Sequence, residues 1–373
     1  MNPHITKPVE LDGKLSFTIS GLNVSLVNAI RRTILSDIPI VVFKTTPYEE
    51  NKANIIINTS RLNNEIIKQR LSCIPIHITD LEMPLKNYIL EVDVENTTDT
   101  IIYVTTENFK IKNIVTNHYL SEKDTKAIFP PNDYTGYYID FVRLRPKISD
   151  EIPGEKIQLT CEFVIGTAKE DGSFNTVSTC SYGNTPDANK IDQELGKKVQ
   201  QWKDDGLSED AIKYEGKNWK LLDALRICVP DSFDFIIQSV GVFTNYELFN
   251  KACEIIIKRL MELDTLLETD ELKINRSLNT MENSYDVILE NEDYTIGKVI
   301  EFILFHKYFE NMKSLSFCGF KKMHPHDTES IIRVAYNEPT DKSVVKQNLK
   351  ECVVEAINVY KKIHKEFLKI VKK

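Results

Sequence analysis

At 373 residues the chain is too long for one small core, so two or three domains are expected. A formal net charge of −8 gives the surface as a whole no attraction for nucleic acid, and any role with DNA or RNA is therefore expected to be indirect. The opening MNPHITKPVE carries no apolar segment of the secretory type, and no run approaches the roughly 18 apolar residues of a membrane span. No membrane association is expected.

Seven cysteines are spread along the chain, and no two of them lie closer than 19 positions. This spacing fits neither a disulfide scaffold nor a zinc knuckle. Several stand on apolar faces, where a thiol behaves as a small hydrophobe. We therefore expect reduced core cysteines in a cytoplasmic protein.

The first predicted unit is a strand, a turn and a helix. LSFTI at 15–19 is the strand, and Ser25 is expected to cap the helix by accepting a bond from a free backbone N–H. The helix places side chains on one side at a spacing of three or four residues, namely Leu26, Ala29, Ile30, Thr33 and Ile34. Asp37 and Pro39 end it, and IVVF at 40–43 follows as a buried strand.

From about residue 47 to 181 the hydrophobic periodicity changes to two, which predicts half-buried strands of a mainly antiparallel sheet. The clearest are YILEVDVE at 88–95 and IQLTCEF at 157–163. Residues 182–222 are polar and are predicted to be part helix and part excursion.

The remaining pattern returns to helices and strands of the first kind. An acidic and polar stretch at 268–282 resembles a connector. The other predicted elements are a strand at 234–241, a long helix at 247–268, a strand at 285–289, a helix at 296–308 capped by Thr295, a strand at 330–336 and a terminal helix from 343 to about 370.

One stretch of the sequence occurs twice. FTISGLNVSLVNAIRRTIL at 17–35 and VILENEDYTIGKVIEFILF at 287–305 align without a gap at an offset of 270. Each end of the chain thus contributes a strand, a short helix, a strand and a long helix in the same order. Chance likeness between common strand–helix units is the alternative. Each of two related halves would have a sheet face to cover. The two halves are therefore expected to pair with one another within the chain.

These patterns predict an α+β fold with two dimerisation halves paired within one chain, the first of them interrupted by a β-rich insertion domain. The predicted divisions are a first half at 1–46 and 223–268, an insertion at 47–222 with its polar excursion at 182–222, a connector at 269–282 and a second half at 283–373. The side chains expected to pair the halves are Leu26, Ile30, Ile34, Ile296, Ile300, Ile256, Leu260, Leu263, Ala356 and Ile363.

Several segments carry a resemblance to a known family: NAIRRTILSDIPIVVF (28–43), NTSRLNNEIIKQRLSCIPI (58–76), GTAKEDGSF (166–174) and DSFDFIIQSVGVFTNYELFNKACEIIIKRL (231–260). They resemble the third subunit of eukaryotic RNA polymerase II, the archaeal D subunit and, more distantly, the bacterial alpha subunit. The end of the chain resembles the eleventh subunit, or archaeal L, through NEDYTIGKVIEFILF (291–305), FCGFKKMHP (317–325) and the terminal helix.

The resemblance implies that the halves correspond to two partners which form a heterodimer equivalent to the bacterial alpha dimer. Both partners on one chain is the arrangement of several large DNA viruses with their own cytoplasmic transcription machinery. The location implied is the host cytoplasm and the virion.

Arg31 and Arg32 follow directly on the apolar helix face, and a solvated pair is the ordinary interpretation of such a dipeptide. Two guanidiniums can instead bind carboxylates or carbonyls of a partner. The resemblance places this edge against a large catalytic subunit, which implies a partner interface containing Asn28, Arg31 and Arg32. Asn28 belongs either to that edge or to the contact between the halves.

Two further segments are implied as docking sites. By resemblance, Glu65, Arg70 and the Ile74-Pro75 turn contact the second-largest polymerase subunit, although the short helix at this point, capped by Asn58 or Thr59, could simply cover one end of the insertion sheet. The loop GTAKEDG, with Lys169 and Glu170, is either an exposed turn or a second contact in the same interface.

No metal is expected. Many relatives hold a four-cysteine zinc loop after the IPI motif, whereas Cys73 is the only cysteine near that point here, and zinc needs about four converging ligands. His324, His326 and Asp327 in KMHPHD are better explained as a turn between two strands. No cofactor is predicted.

No nucleotide-binding, hydrolase or metalloprotease motif is present, and there is no Asp-rich magnesium triad. No catalytic site is therefore expected. The resemblance implies a non-catalytic assembly platform of a DNA-directed RNA polymerase, which gathers the largest and second-largest subunits, with small adaptor subunits as further candidates, and is not a homo-oligomer. The alternatives are a free-standing transcription or assembly factor of the same fold and an independent enzyme with a site in the insertion domain.

Overall fold

The computed structural model describes residues 1–149, 151–278 and 280–371. It divides into two compact units. Unit 1 comprises Met1–Thr33, Thr179–Gln238 and Phe249–Lys373, and unit 2 comprises Ile34–Ser178 and Ser239–Leu248. The predicted insertion, connector and second half contain residue 150, residue 279 and residues 372–373, respectively, which lie outside the described residues.

The strands of the described residues, in chain order, are β1 His4–Leu11, β2 Lys14–Ser20, β3 Ile40–Val42, β4 Ala53–Asn58, β5 Tyr88–Glu95, β6 Ile102–Thr105, β7 Lys110–Asn113, β8 His118–Tyr119, β9 Asp140–Leu144, β10 Lys156–Glu162, β11 Val164–Gly166, β12 Val177–Pro186, β13 Cys228–Ser239, β14 Ile274–Arg276, β15 Ser284–Glu290, β16 Leu315–Lys321 and β17 Glu329–Tyr336. The helices are α1 Val24–Ser36, α2 Asn64–Ser72, α3 Glu122–Ile128, α4 Ala188–Asp204, α5 Glu209–Leu221, α6 Asn245–Glu268, α7 Tyr294–Leu304 and α8 Lys342–Val371. A π-helical segment, Phe305–Asn311, continues α7.

Unit 1 contains two four-stranded sheets of the same topology. Their strand orders are β1-β2-β13-β12 and β14-β15-β17-β16. In the first sheet the short helix α1 follows β2 and the long helix α6 follows β13. In the second sheet the short helix α7 follows β15 and the long helix α8 follows β17. The predicted repeat is therefore a repeat of architecture, and it contains two more strands per half than the sequence pattern indicated.

The repeat keeps its register beyond the stretch that is visible in the sequence. Phe17 pairs with Phe235, and Val287, its counterpart at the offset of 270, pairs with Ile332. β13 therefore maps onto β17 at an offset of 97. The long helices begin at Asn245 and Lys342, which are also 97 apart. Strand pairing and helix start thus agree on one alignment of the two halves.

Both predicted helix caps are wrong by the same two residues. The side chain of Asn23 accepts the backbone N–H of Ser25 at 2.9 Å, and the side chain of Asp293 accepts that of Thr295 at 2.8 Å. Asp is a better N-cap than Thr, and Asn is as good a cap as Ser, so each residue two positions earlier could serve as the cap. Asn23 and Asp293 are themselves 270 apart, so the correction preserves the repeat.

Unit 2 holds the β-rich core. Its main sheet has the order β4-β10-β5-β7-β8, with smaller pairs β11-β3 and β6-β9. The predicted strands at 88–95 and 157–163 are confirmed as β5 and β10, and the structure shows that they are antiparallel neighbours, with Leu159 opposite Val92. The inward side chains alternate along both strands and join one hydrophobic cluster that also includes Phe43, Phe109 and Phe141.

The units differ from the predicted divisions in several segments, and Ser239–Leu248, predicted in the first half, belong to unit 2. Residues 34–46 belong to unit 2, because β3 pairs with β11 there. Residues 182–222 belong to unit 1, because they leave from β12, a strand of the first sheet, and they form α4 and α5. The predicted connector also contains β14, which pairs with β15.

Candidate pairing and docking surfaces

The loop between β15 and α7 receives an arginine from the first half. Arg32, in the last turns of α1, donates from Nε to Thr295 Oγ1 at 2.9 Å and from Nη2 to Asp293 Oδ2 at 3.1 Å. The side chains of Arg32 and Asp293 are 36% and 22% exposed, so this ion pair is partly shielded from water. Because Asp293 also caps α7, the arginine is fixed to a helix terminus of the other half.

The neighbouring carboxylate receives a second arginine. Glu292 accepts from both Nε and Nη2 of Arg259, which belongs to α6, and the Nε distance is 3.2 Å. These two side chains are only 16% and 17% exposed. A two-point guanidinium–carboxylate contact fixes orientation as well as distance. Glu292 and Asp293 together therefore connect the second half to both helices of the first. We call these four side chains the arginine–carboxylate junction.

An apolar contact with one buried hydrogen bond lies at the other long helix. The Tyr360 hydroxyl of α8 donates to the Leu26 carbonyl of α1 at 3.0 Å, and burial raises the pKa of Tyr360 well above its ordinary value. Phe367 of α8 stacks on Phe249 of α6, with ring centroids 4.0 Å apart, and meets Phe17 edge-on at 5.4 Å. Side chains of both halves thus form one aromatic core.

The residues predicted to pair the halves are all buried. Leu263 is the most exposed of the ten, at 7%. Of these residues, Leu26 has an identified partner across the halves, the hydroxyl of Tyr360. Ile34 lies in unit 2, whereas the other nine lie in unit 1. Burial alone does not assign a partner to each side chain, so the individual pairings remain a prediction.

The predicted basic edge separates into two different environments. Arg32 is bonded within the molecule, as described above. Arg31 is half-buried and donates from Nε to Asn28 Oδ1 at 2.9 Å, one turn back on the same helix. Within the described part of the chain Arg31 has no carboxylate partner. Sequence reasoning missed the role of Arg32, because its acceptors lie more than 260 positions away.

The short helix predicted within 58–76 is confirmed as α2 of unit 2, with Glu65 exposed in its first turn, and its docking role stays a prediction. Its cap is Asn63, whose side chain accepts the Ile66 N–H at 2.9 Å, and not Asn58 or Thr59. Arg70 donates from Nε and Nη2 to the carbonyls of Phe141 and Asp140, each at 2.6 Å.

The Ile74-Pro75 turn is mostly buried. Ile74 is 5% exposed and belongs to the hydrophobic cluster of unit 2, so the structure places it in the core and not on a docking surface. Its sequence neighbours Ile76 and Ile78 are in the same cluster, which explains the burial. Pro75 is half-buried.

Lys169 and Glu170 lie on an exposed loop of unit 2. The Glu170 carboxylate pairs with Lys44 at 3.3 Å, and the Lys169 backbone N–H donates to the Ser36 carbonyl at 2.9 Å. A hydrogen bond from Lys44 to Glu50 is the main cause that raises the pKa of that lysine. The Lys169 and Glu170 side chains are both exposed on this loop.

Among the described residues, no group of three or more His, Cys, Asp or Glu side chains is placed to hold a metal ion. His324 and His326 lie in the turn between β16 and β17, where the Asp327 carboxylate accepts the His324 backbone N–H at 2.9 Å. Burial raises the pKa of the Cys161, Cys180 and Cys318 thiols to about 12, which opposes nucleophilic chemistry. None of the helices in residues 1–149, 151–278 and 280–371 could span a membrane.

Comparison with known families bears on these surfaces directly. The model of the RNA polymerase Rpb3/Rpb11 dimerisation domain matches residues 16–260, which is more than half of the chain. The chain belongs to this family. The match covers β2, α1, β13 and the first part of α6, the elements that carry Arg32 and Arg259.

Curated relatives agree with this assignment. The chain is 25% identical to the rpac1 subunit of DNA-directed RNA polymerases I and III from Dictyostelium discoideum, over 67% of this chain and 77% of that one. It is 25% identical to the human RPAC1 subunit, over 68% and 83% of the two chains. It is 21% identical to the Rpo3 polymerase subunit of Archaeoglobus fulgidus, over 72% and 99%.

Proposed function

We propose that this chain is a non-catalytic assembly subunit of a DNA-directed RNA polymerase, in which two dimerisation halves form one platform for the catalytic subunits. The observation that carries this proposal is the second sheet, β14-β15-β17-β16, which repeats the topology of the first in a chain of the dimerisation family. A chain with both copies contains its own dimerisation partner.

We further propose that the halves descend from two separate partner subunits and are now joined, as in large DNA viruses that transcribe in the host cytoplasm. The family match ends at residue 260, so the ancestry of the second half is argued from its topology and its register. Joining two partners raises the effective concentration of one for the other to roughly the millimolar range. It also fixes their ratio at one to one.

The proposed partners are the largest and second-largest polymerase subunits, with small adaptor subunits as further candidates. The segments around Arg31 and α2 would contact the second-largest subunit, and the second half would contact the largest. Contact with DNA or RNA would be indirect, since the chain carries a net charge of −8. Neither a bound zinc ion nor a second copy of the chain is part of this proposal.

Affinity purification of the tagged chain from cells that contain the complete transcription machinery tests the proposal. We expect two large polypeptides to co-purify in equal amounts, together with promoter-independent RNA synthesis. Recovery of the chain alone from fractions that actively transcribe would overturn the assignment and favour a free-standing factor. Turnover of a substrate by the purified chain would favour the enzyme alternative.

The docking edge is tested by Arg31→Glu, with Arg276→Glu as the matched control. Both arginines belong to unit 1, but Arg31 is half-buried whereas Arg276, in β14, is exposed. We expect Arg31→Glu to leave the fold soluble and to abolish co-purification of the second-largest subunit, whereas the control retains it. Equal co-purification by the two variants would remove Arg31 from the interface.

A further inference from the structure

Four arginines surround one cleft of unit 2, where the pair β6-β9 meets the loop before α2. The cleft has a volume of about 290 Å³, and its lining includes Arg61, Arg70, Arg143, Arg145 and Tyr103. Tyr103 and Arg143 are direct cross-strand partners in β6 and β9, so their side chains emerge side by side. Tyr103 is 58% exposed.

Two of these arginines are fixed by the protein itself. Arg70 donates from Nε and Nη2 to two backbone carbonyls, which orient the guanidinium without neutralising its charge. Arg145 binds the Glu155 carboxylate, which is 8% exposed, at 2.6 Å. These contacts hold the guanidiniums of Arg70 and Arg145 in place at the cleft.

The other two arginines are free to bind. Arg61 and Arg143 are exposed, and neither guanidinium has a hydrogen-bonding or ionic partner among the described residues. The loop that carries Arg61 is nevertheless ordered, because Asn58 donates to the Leu62 carbonyl at 2.8 Å and accepts the Ser60 hydroxyl at 2.6 Å. Arg61 is therefore presented from a preorganised turn, which lowers the entropic cost of binding.

The charge of the cleft is opposite to that of the chain. Four arginines face two carboxylates, Asp140 in the lining and Glu155 on Arg145, within a protein of net charge −8. Guanidinium groups bind carboxylates through two parallel hydrogen bonds. Tyr103 and the half-buried Leu62 add apolar surface beside them.

The neighbouring grooves indicate what kind of anion fits. One groove shares Arg61 and contains Glu65, and another shares Arg145 and contains Glu95. In both neighbouring grooves the charges balance, Arg61 against Glu65 in one, and Arg145 and Lys156 against Glu95 and Glu155 in the other, so the excess of positive charge lies in the central cleft. A nucleic-acid backbone, charged at every step, would meet Glu65 and Glu95. A polypeptide can place its acidic side chains at the centre alone.

We propose that this cleft binds an acidic segment of a partner protein, with Asp or Glu side chains on Arg61 and Arg143 and an apolar side chain against Tyr103. The inference deepens the proposed function and rests on it only for the kind of protein that supplies the segment. The binding chemistry follows from the cleft itself.

Fluorescence anisotropy on the full chain tests the proposal with three labelled probes: a peptide in which Asp and Glu flank a central Phe, the same peptide with Asn and Gln in their place, and a single-stranded oligonucleotide. We expect binding of the acidic peptide alone, weakening as salt rises. Arg61→Ala with Arg143→Ala is expected to weaken it roughly tenfold, because each exposed charge pair contributes a modest free energy. The matched control is Arg226→Ala with Arg276→Ala, two exposed arginines of unit 1, which is expected to bind as the wild type does.

Equal binding of the neutral peptide, unchanged affinity in the Arg61→Ala and Arg143→Ala variant, or absence of peptide binding would overturn the inference. Preferential binding of the oligonucleotide would also overturn it, in favour of a nucleic-acid site. Co-purification of the large polymerase polypeptides with the wild-type chain is scored separately. Its failure would count against the proposed function while leaving the peptide result intact.

Discussion

Arg32 and Asp293 are joined at a point where the carboxylate already has another role. Asp293 Oδ1 accepts the Thr295 N–H and caps α7, while Oδ2 accepts from Arg32 of α1. One side chain therefore begins a helix in the second half and binds a helix of the first. The counterpart cap, Asn23, carries no charge, so the contact has no mirror image in the repeat.

Arg32→Ala is expected to lower the free energy of unfolding by about 1 kcal/mol, because a partly exposed, charge-assisted contact is lost. Arg31→Ala is the matched control and is expected to cost less, since its bond to Asn28 stays within one helix. Urea denaturation of both variants measures the difference. Equal losses would mean that Arg32 does not connect the halves. Asp293→Asn, which keeps a good cap but removes the charge, should reproduce most of the Arg32→Ala loss.

Arg259→Met is expected to destabilise the protein by about 3 kcal/mol, because it leaves the Glu292 carboxylate shielded from water and without its cation. Glu292→Gln in the same background should recover a large part of that loss. A double-mutant cycle by chemical denaturation gives the coupling energy between the two side chains. Additive losses would show that the pair makes no specific contribution.

Gly297→Ala is expected to cost about 1–3 kcal/mol, because a Cβ at this position of α7 would lie 2.0 Å from the Phe320 ring. Gly196→Ala in α4 is the control, since a Cβ there meets nothing within 4 Å, and it should stabilise by up to about 1 kcal/mol. Thermal unfolding compares the two. Phe320→Leu added to Gly297→Ala should restore part of the stability, and a loss that persists undiminished would contradict the packing argument.

Glu351 makes stability depend on pH at the acid end. Hydrogen bonds from Lys307, then Tyr308 and Gln347, lower the pKa of Glu351 from 4.5 to about 2. A carboxylate with a lowered folded-state pKa stabilises the protein above its unfolded pKa, so this contribution is complete above about pH 4.5 and is lost as the pH falls towards 2. We expect Glu351→Gln to show a shallower fall of the unfolding midpoint across this window than the wild type. Identical pH profiles would rule out the contribution.

The repeat was predictable from sequence because local signals carried it. Apolar periodicity predicted β2, α1, β15 and α7, and the gapless alignment connected them. β1 could not be predicted, because its eight residues are mostly exposed and contain a proline, which leaves little alternation to detect. β14 has only three residues and is defined by its partner β15.

The functional surfaces were less accessible to sequence reasoning than the fold. Arg32 carries the same local signal as Arg31, and only the folded chain shows that Asp293 lies beside one of them. Ile74 follows a helix in a docking-like motif, yet core packing determines its place. The arginine cleft combines residues from 61 to 145, and no single segment of the sequence contains more than a part of it.

The hydrogen bond from Tyr360 to Leu26 joins residues 334 positions apart in the chain. This separation bears on the order in which the two units can fold during synthesis. Unit 2 has all its residues once position 248 has been synthesised, so it can fold while the chain is still growing. Unit 1 must wait for α8, which is translated after all of unit 2. The α1 backbone at Leu26 is therefore translated before unit 2 and finds its partner only after unit 2 is complete.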